Sequence, residues 1–155
     1  MTIPPNLLEE ERILIDARLS TRSMVLEAIA GMFADSEISG EAIEEKLLER
    51  EELGSTGIGF GVAIPHARLK DLQSTRAAFV KTRDAVDFNA PDETSVDLIF
   101  ALLVPEGSNE DYLRLLANLA RFFSEAENRE LLRNAGSAEE VINIIGRSEA
   151  RRHSA

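Results

Sequence analysis

The sequence predicts an α/β (α+β) fold, a three-layer sandwich in which helices cover both faces of one sheet. Two observations carry this. Segments with helical spacing flank a strand-rich middle, two before it and three after it. Within that middle, "VDLIFALLV" from Val96 is apolar almost without a break, as a strand covered on both faces must be. At 155 residues the chain is long enough for one domain with a real core. The expected division is a single domain over 1–147 and a flexible tail over 148–155. No internal repeat and no linker interrupts it.

The first helix is read from "DARLSTRSMVLEAIAGMFAD", with Ser20 or Thr21 as cap and Val25, Leu26, Ile29, Met32 and Phe33 on one face. The second is "SGEAIEEKLLERE", capped by Ser39, with Ile43, Leu47 and Leu48 inward and Glu45 and Glu49 outward. It stops at Gly54. "VAIPH" is too short for a helix, and Pro65 forces Ile64 toward an extended conformation. "TRAAFVKTR" from Thr75 and "VDLIFALLV" read as strands, and Asn89, Pro91 and Asp92 supply the turn between them. The next helix is "SNEDYLRLLANLARFFSE", with Ser108 as its cap and Leu113, Leu116, Leu119 and Phe123 as its inner face. "ENRELLRNA" and "SAEEVINIIG" follow, the latter opened by a Ser137–Glu140 capping box. His153 falls in the polar tail and carries no functional reading.

Composition removes several classes of function. There is no cysteine, so thiolate metal sites, disulfides and cysteine nucleophiles are excluded. The net charge of −11 argues against a nucleic-acid partner, whose phosphates need clustered lysine and arginine. Such an acidic surface steers a basic protein or simply solubilises the chain. "MTIPPNLLEEERILID" has acids where a signal peptide needs bases, and "LIFALLV" is too short to span a bilayer. A cytoplasmic protein without membrane insertion is expected.

The chemistry concentrates in "GSTGIGFGVAIPHARLK", which holds four glycines within eight residues and then His66. A Walker loop is excluded because Gly61 is followed by Val62 and Ala63 rather than Lys and Ser or Thr. The dinucleotide pattern fails as well, with Val62 in the place of its third glycine. Both motifs open a helix, whereas this loop opens a strand. Successive amides in a glycine-rich turn can form an anion nest, and Ser55 and Thr56 add hydroxyl donors. A histidine at the edge of such a nest is suited to accept a phosphoryl group on a ring nitrogen. A histidine after proline is also a common surface or capping residue, so spacing alone leaves both readings open.

"LEREELGSTGIGFGVAIPHARL" resembles the active-site segment of the type-2 enzyme IIA domains of the bacterial phosphoenolpyruvate-dependent phosphotransferase system. The likeness continues through "AAFVKTRDAVDFNAPDETSVDLIFALLVPEGSNEDYLRLLANLARFF" and covers nearly the whole chain. It implies a mixed sheet, a phosphorylatable histidine at His66, and a phosphoryl donor that is HPr or its nitrogen-branch counterpart. A free-standing domain with "GSTGIG" is similar to the nitrogen-regulatory subtype, which acts on regulatory target proteins. No metal or other cofactor is implied. Arg50 matches a family arginine that either leans toward the phosphoryl oxygens or fixes the loop through an acidic neighbour; the plain alternative is a solvated helix-end residue. Ser55 and Thr56 match positions lining the phosphate pocket.

The chain departs from the pattern at two places. Tyr112 stands where many members have a second histidine; its hydroxyl can donate to a phosphoryl oxygen but carries no positive charge near neutral pH. Phe60 stands where relatives often have a polar or basic residue. Two alternatives to a phosphocarrier follow: a binding module of the same fold that is not phosphorylated, and a fructose-type component of sugar uptake.

Overall fold

The computed structural model describes residues 7–107 and 109–154, with side chains as far as residue 146. In chain order the elements are β1 (Leu8–Ala17), α1 (Arg22–Phe33), α2 (Gly40–Leu53), β2 (Gly57–Gly59), β3 (Val62–Ala63), β4 (His66–Leu69), β5 (Arg76–Val86), β6 (Val96–Pro105), α3 (Asn109–Ser124), α4 (Ala126–Asn134) and α5 (Ala138–Ser154). The sheet is mixed, in the order β1-β5-β6-β3-β2, with β4 also on β6. β1 runs parallel to β5, and β3 and β4 run parallel to β6; β5 and β6, and β2 and β3, are antiparallel.

Strand β6 explains the three layers. Successive side chains point to opposite faces of a strand. Leu98, Phe100, Leu102 and Val104 enter a core with Leu115, Leu119, Phe122, Phe123, Leu132 and Val141 of α3, α4 and α5. Ile99, Ala101 and Leu103 enter a second core with Val25, Leu26, Ile29, Phe33, Ile43 and Leu47 of α1 and α2. The unbroken apolar run is therefore a strand buried on both sides, and the expected sandwich is the observed one.

Helix starts follow from local chemistry. Thr21 Oγ1 accepts from the Met24 amide at 3.1 Å, and Ser39 Oγ from the Ala42 amide at 3.2 Å. Ser137 Oγ likewise accepts from the Glu140 amide, while the Glu140 carboxylate reaches back to the Gly136 amide, both at 3.2 Å. The capping box thus closes one residue earlier than its usual form. The expected Ser108 cap and the His153 side chain lie outside the described residues.

Three expectations are corrected. The first helix begins at Arg22, and Asp16 and Ala17 belong to β1, a strand the periodicity did not reveal. β1 shifts register twice along β5, so its residues do not alternate cleanly. On α3 the inner face is Tyr112, Leu115, Leu119, Phe122 and Phe123, while Leu113 is exposed. Finally, the α5 backbone continues to Ser154, through most of the segment expected as a tail. Its Ala, Glu and Arg residues favour helix without any apolar pattern.

Candidate functional site

His66 owes its place to a proline. β3 and β4 pair with β6 in one constant register, Val62 with Leu98, Ala63 with Ile99 and His66 with Leu102. They are one strand interrupted at Ile64 and Pro65. Pro65 has no N–H for the ladder; its carbonyl still accepts from the Leu102 amide at 2.9 Å. The Ile64 amide turns to Thr56 O at 3.0 Å. Ile64 O accepts instead from the imidazole of His66, whose Nδ1 lies 2.8 Å away.

That bond sets the tautomer. A carbonyl oxygen can only accept, so Nδ1 carries the proton and Nε2 holds the free lone pair. Arg50 Nε donates to Nε2 at 3.1 Å. Burial of the half-exposed ring lowers its pKa from the usual histidine value, and the charges of Arg50 and Arg68 push the same way; the bond to Ile64 O opposes them. The ring has one nitrogen fixed by Ile64 O and the other facing a guanidinium, and its lowered pKa favours the uncharged form.

The glycine loop is a small hairpin made of β2 and β3. Gly59, Phe60 and Gly61 all have positive φ, which turns the chain sharply at its tip. At Gly57 a Cβ would come within 2.7 Å of the Ala90 side chain, so only glycine fits beneath that loop. The tip is held from α4. Arg133 pairs with Asp97 at 2.9 Å and donates to Phe60 O at 2.7 Å, and Arg129 lies 4.2 Å from the Phe60 ring centre.

Arg50 also donates to Gly54 O at 2.7 Å, binding the end of α2 to the loop. Ser55 and Thr56 are placed differently from the expectation of two phosphate-facing hydroxyls. Ser55 Oγ donates to Phe88 O at 2.5 Å and accepts from the Gly57 amide. Thr56 is buried, and both its hydroxyl and its amide donate to the carboxylate of Glu51. Both hydroxyls therefore anchor the loop. The expected amide nest is likewise engaged inside the protein: the Phe60 amide donates to Asp92 Oδ2, and those of Gly54, Thr56 and Gly57 also have acceptors. Chain geometry explains this, since a tight hairpin must satisfy its own donors.

Tyr112, at the start of α3, sits with its ring 5.5 Å from that of His66 and tilted by 56°. The Arg68 guanidinium lies 4.6 Å from the centre of the same ring. Among the described residues the Tyr112 hydroxyl has no hydrogen-bond partner. Two openings meet at His66. One, of about 310 Å³, is lined by Arg50, Ser55, Thr56, Gly57, Ile58 and Leu116 among others. The other, of about 780 Å³, includes Arg50, Arg68 and Tyr112.

The other four expected site residues, Arg50, Ser55, Thr56 and Tyr112, thus lie around the His66 imidazole. Two residues escaped the sequence reading. Glu51 sits in an acidic run that looks solvated, yet it is 4% exposed and also faces Arg22 at 3.7 Å. Arg68 was legible in principle, because strand alternation puts it on the side of His66. Among the described residues no group of three or more histidines, cysteines and carboxylates could hold a metal ion. None of the described helices is long and apolar enough to cross a membrane.

Comparison with known proteins places the chain in a family. A nitrogen regulatory protein of Pseudomonas aeruginosa is 42% identical over 136 residues, covering 86% of this chain and 88% of that protein. The crystal structure of nitrogen regulatory protein IIA-Ntr from Neisseria meningitidis superposes with a TM-score of 0.87 at 40% identity, over 90% of this chain and 96% of the other. IIA mannitol from Escherichia coli shares the fold, with a TM-score of 0.75 at 18% identity over 88% and 97% of the two chains. The family described as "Phosphoenolpyruvate-dependent sugar phosphotransferase system, EIIA 2" matches residues 6–148. With the family model spanning residues 6–148 and these relatives covered over most of their length, the chain belongs to this EIIA type-2 family.

Proposed function

We propose that this protein is a phosphocarrier of the nitrogen-regulatory kind, located in the cytoplasm, in which Nε2 of His66 accepts a phosphoryl group from the phosphohistidine of an HPr-like carrier. The observation that carries the reading is the pairing of a fixed Nδ1–H on Ile64 O with an Nε2 lone pair facing Arg50. The kinship to proteins named nitrogen regulatory supports the subtype.

In the transfer, the Nε2 lone pair attacks phosphorus. The P–N bond of the donor breaks, and its electron pair returns to the donor's ring nitrogen. Arg50 leaves Nε2 and takes the phosphoryl oxygens, a move that keeps its charge beside the developing dianion. Attack through Nε2 makes the ring an imidazolium, and Ile64 O, accepting from Nδ1–H, stabilises that charge and keeps the proton in place. The Tyr112 hydroxyl, on a ring 5.5 Å from the imidazole, supplies a further donor. Ser55 and Thr56 serve by holding the loop against Arg50. The transferred phosphoryl group carries about two negative charges, one of them offset by the imidazolium, and this is enough to change which regulatory partners bind.

The test is incubation with phosphoenolpyruvate and the upstream phosphotransferase proteins. Wild type should gain acid-labile phosphate, and His66→Ala should gain none. Equal incorporation by the two would refute the role of His66. A wild type that takes no phosphate, with partner binding indifferent to that substitution, would identify a binding module instead. Onward transfer to a sugar-specific IIB domain would point to fructose-type uptake.

A further inference from the structure

The larger opening beside His66 carries an excess of positive charge although the chain as a whole is acidic. Lys46 and Arg50 stand one turn apart on α2, and Arg68 on β4 and Lys70 just past its end lie across from them. All four line the cleft of about 780 Å³, with Glu49 and Glu106 as its carboxylates. Glu49 is paired with Lys46 at 3.9 Å, while Arg68 and Lys70 have no carboxylate partner among the described residues. Two positive charges remain in excess within a chain of net charge −11. The volume far exceeds that of a phosphoryl group. Its wall also holds Leu53, an apolar side chain left 86% exposed.

We propose that this cleft docks an acidic segment of a partner protein, one apolar side chain of that segment covering Leu53, and that a phosphoryl group on His66 expels it. The docking stands on the charges of the cleft; the expulsion rests on the phosphocarrier reading. An anionic segment is attracted here and repelled by the acidic stretches of the surface, which favours this place of binding. His66 lines the same cleft. The phosphoryl group brings about two negative charges to it, which even after the positive charge gained by the ring cancel much of the local excess. Partner binding then becomes a property of the unphosphorylated form. A nucleic acid fits less well, because its continuous line of phosphates would run onto the acidic surface.

The probe is a fluorescein-labelled peptide of aspartate and glutamate with one central leucine, followed by anisotropy. Unphosphorylated wild type should bind it, more weakly as salt rises. Arg68→Glu combined with Lys70→Glu should weaken binding about tenfold or more, and Arg121→Glu, outside the cleft, less than about twofold. Phosphorylated wild type should bind about tenfold more weakly, whereas His66→Ala given the same treatment should keep the peptide. No binding by wild type, equal loss in Arg121→Glu, or preference for an oligonucleotide at the same cations would overturn the docking. Unchanged affinity in protein shown to carry phosphate would overturn the expulsion. Failure of wild type to take phosphate would defeat the phosphocarrier reading and the expulsion with it, while peptide binding would still decide the docking.

Discussion

Arg50 Nε lies 3.1 Å from His66 Nε2, so the last turn of α2 closes on the one ring nitrogen that carries no proton. The same guanidinium holds Gly54 O. Loop, helix and imidazole are joined at a single side chain, which has to move for the proposed transfer to reach Nε2.

Replacing that side chain should slow phosphoryl acceptance more than it unsettles the fold. Arg50→Ala is expected to lower the initial rate of phosphate incorporation about 100-fold, the loss typical of an oxyanion donor. Arg50→Lys should restore little, since an ammonium cannot hold Nε2 and Gly54 O in one planar fork. A urea melt that moves as far as the rate would instead mark Arg50 as a structural residue.

The pH dependence follows from the neutral ring. Burial, with Arg50 and Arg68 nearby, holds the His66 pKa below the ordinary 6.5, so its NMR titration midpoint should fall below that value. Phosphoryl acceptance should continue beneath pH 6.5 and decline only as the folded ring itself protonates. In the same window the unfolded chain takes up the proton first, so stability should drop as pH falls from 6.5 toward the folded pKa and then level off. Arg50→Ala should move the midpoint upward, because a positive neighbour is lost.

Loop anchoring is tested at Thr56. Thr56→Val leaves a buried Glu51 carboxylate without its hydroxyl donor and should cost about 1–3 kcal/mol in urea unfolding. Thr56→Ser keeps the hydroxyl and should recover most of the loss. Equal stability of the valine variant would show that the Glu51 contact contributes nothing.

Two glycines should respond in opposite directions. At Gly61, φ is +78° and a Cβ would lie 2.6 Å from the Arg133 guanidinium, so Gly61→Ala should cost about 1–3 kcal/mol. Gly31 is inside α1 with open space around it, so Gly31→Ala should stabilise by about 0.5–1 kcal/mol. Thermal melts of the two variants separate these effects.

Legibility in the sequence followed the physics of each element. β6 could be read because burial on both faces leaves an unbroken apolar run, and α1 and α2 because Thr21 and Ser39 cap them locally. β1 could not, since its charged residues and register shifts erase the alternation on which strand reading depends. On α3, leucines at 113, 115, 116 and 119 offer more than one apolar face, and only packing selects among them. At the site, the glycine-rich stretch drew attention to His66, and the family resemblance singled out Arg50 and Tyr112. The direction of the Ser55 and Thr56 hydroxyls depends on where Phe88 O and Glu51 lie, which sequence does not express. Glu51 was hidden because burial alone distinguishes it from the acids on either side.

Long-range ¹H–¹⁵N correlation spectra of the protein after incubation with phosphoenolpyruvate and the upstream proteins bear most directly on all of this. Phosphorus bonded to Nε2 of His66, with Nδ1 still protonated toward Ile64 O, is the expected result. A phosphoryl group on Nδ1, or on any other residue, would contradict the tautomer and the role assigned to Arg50 together.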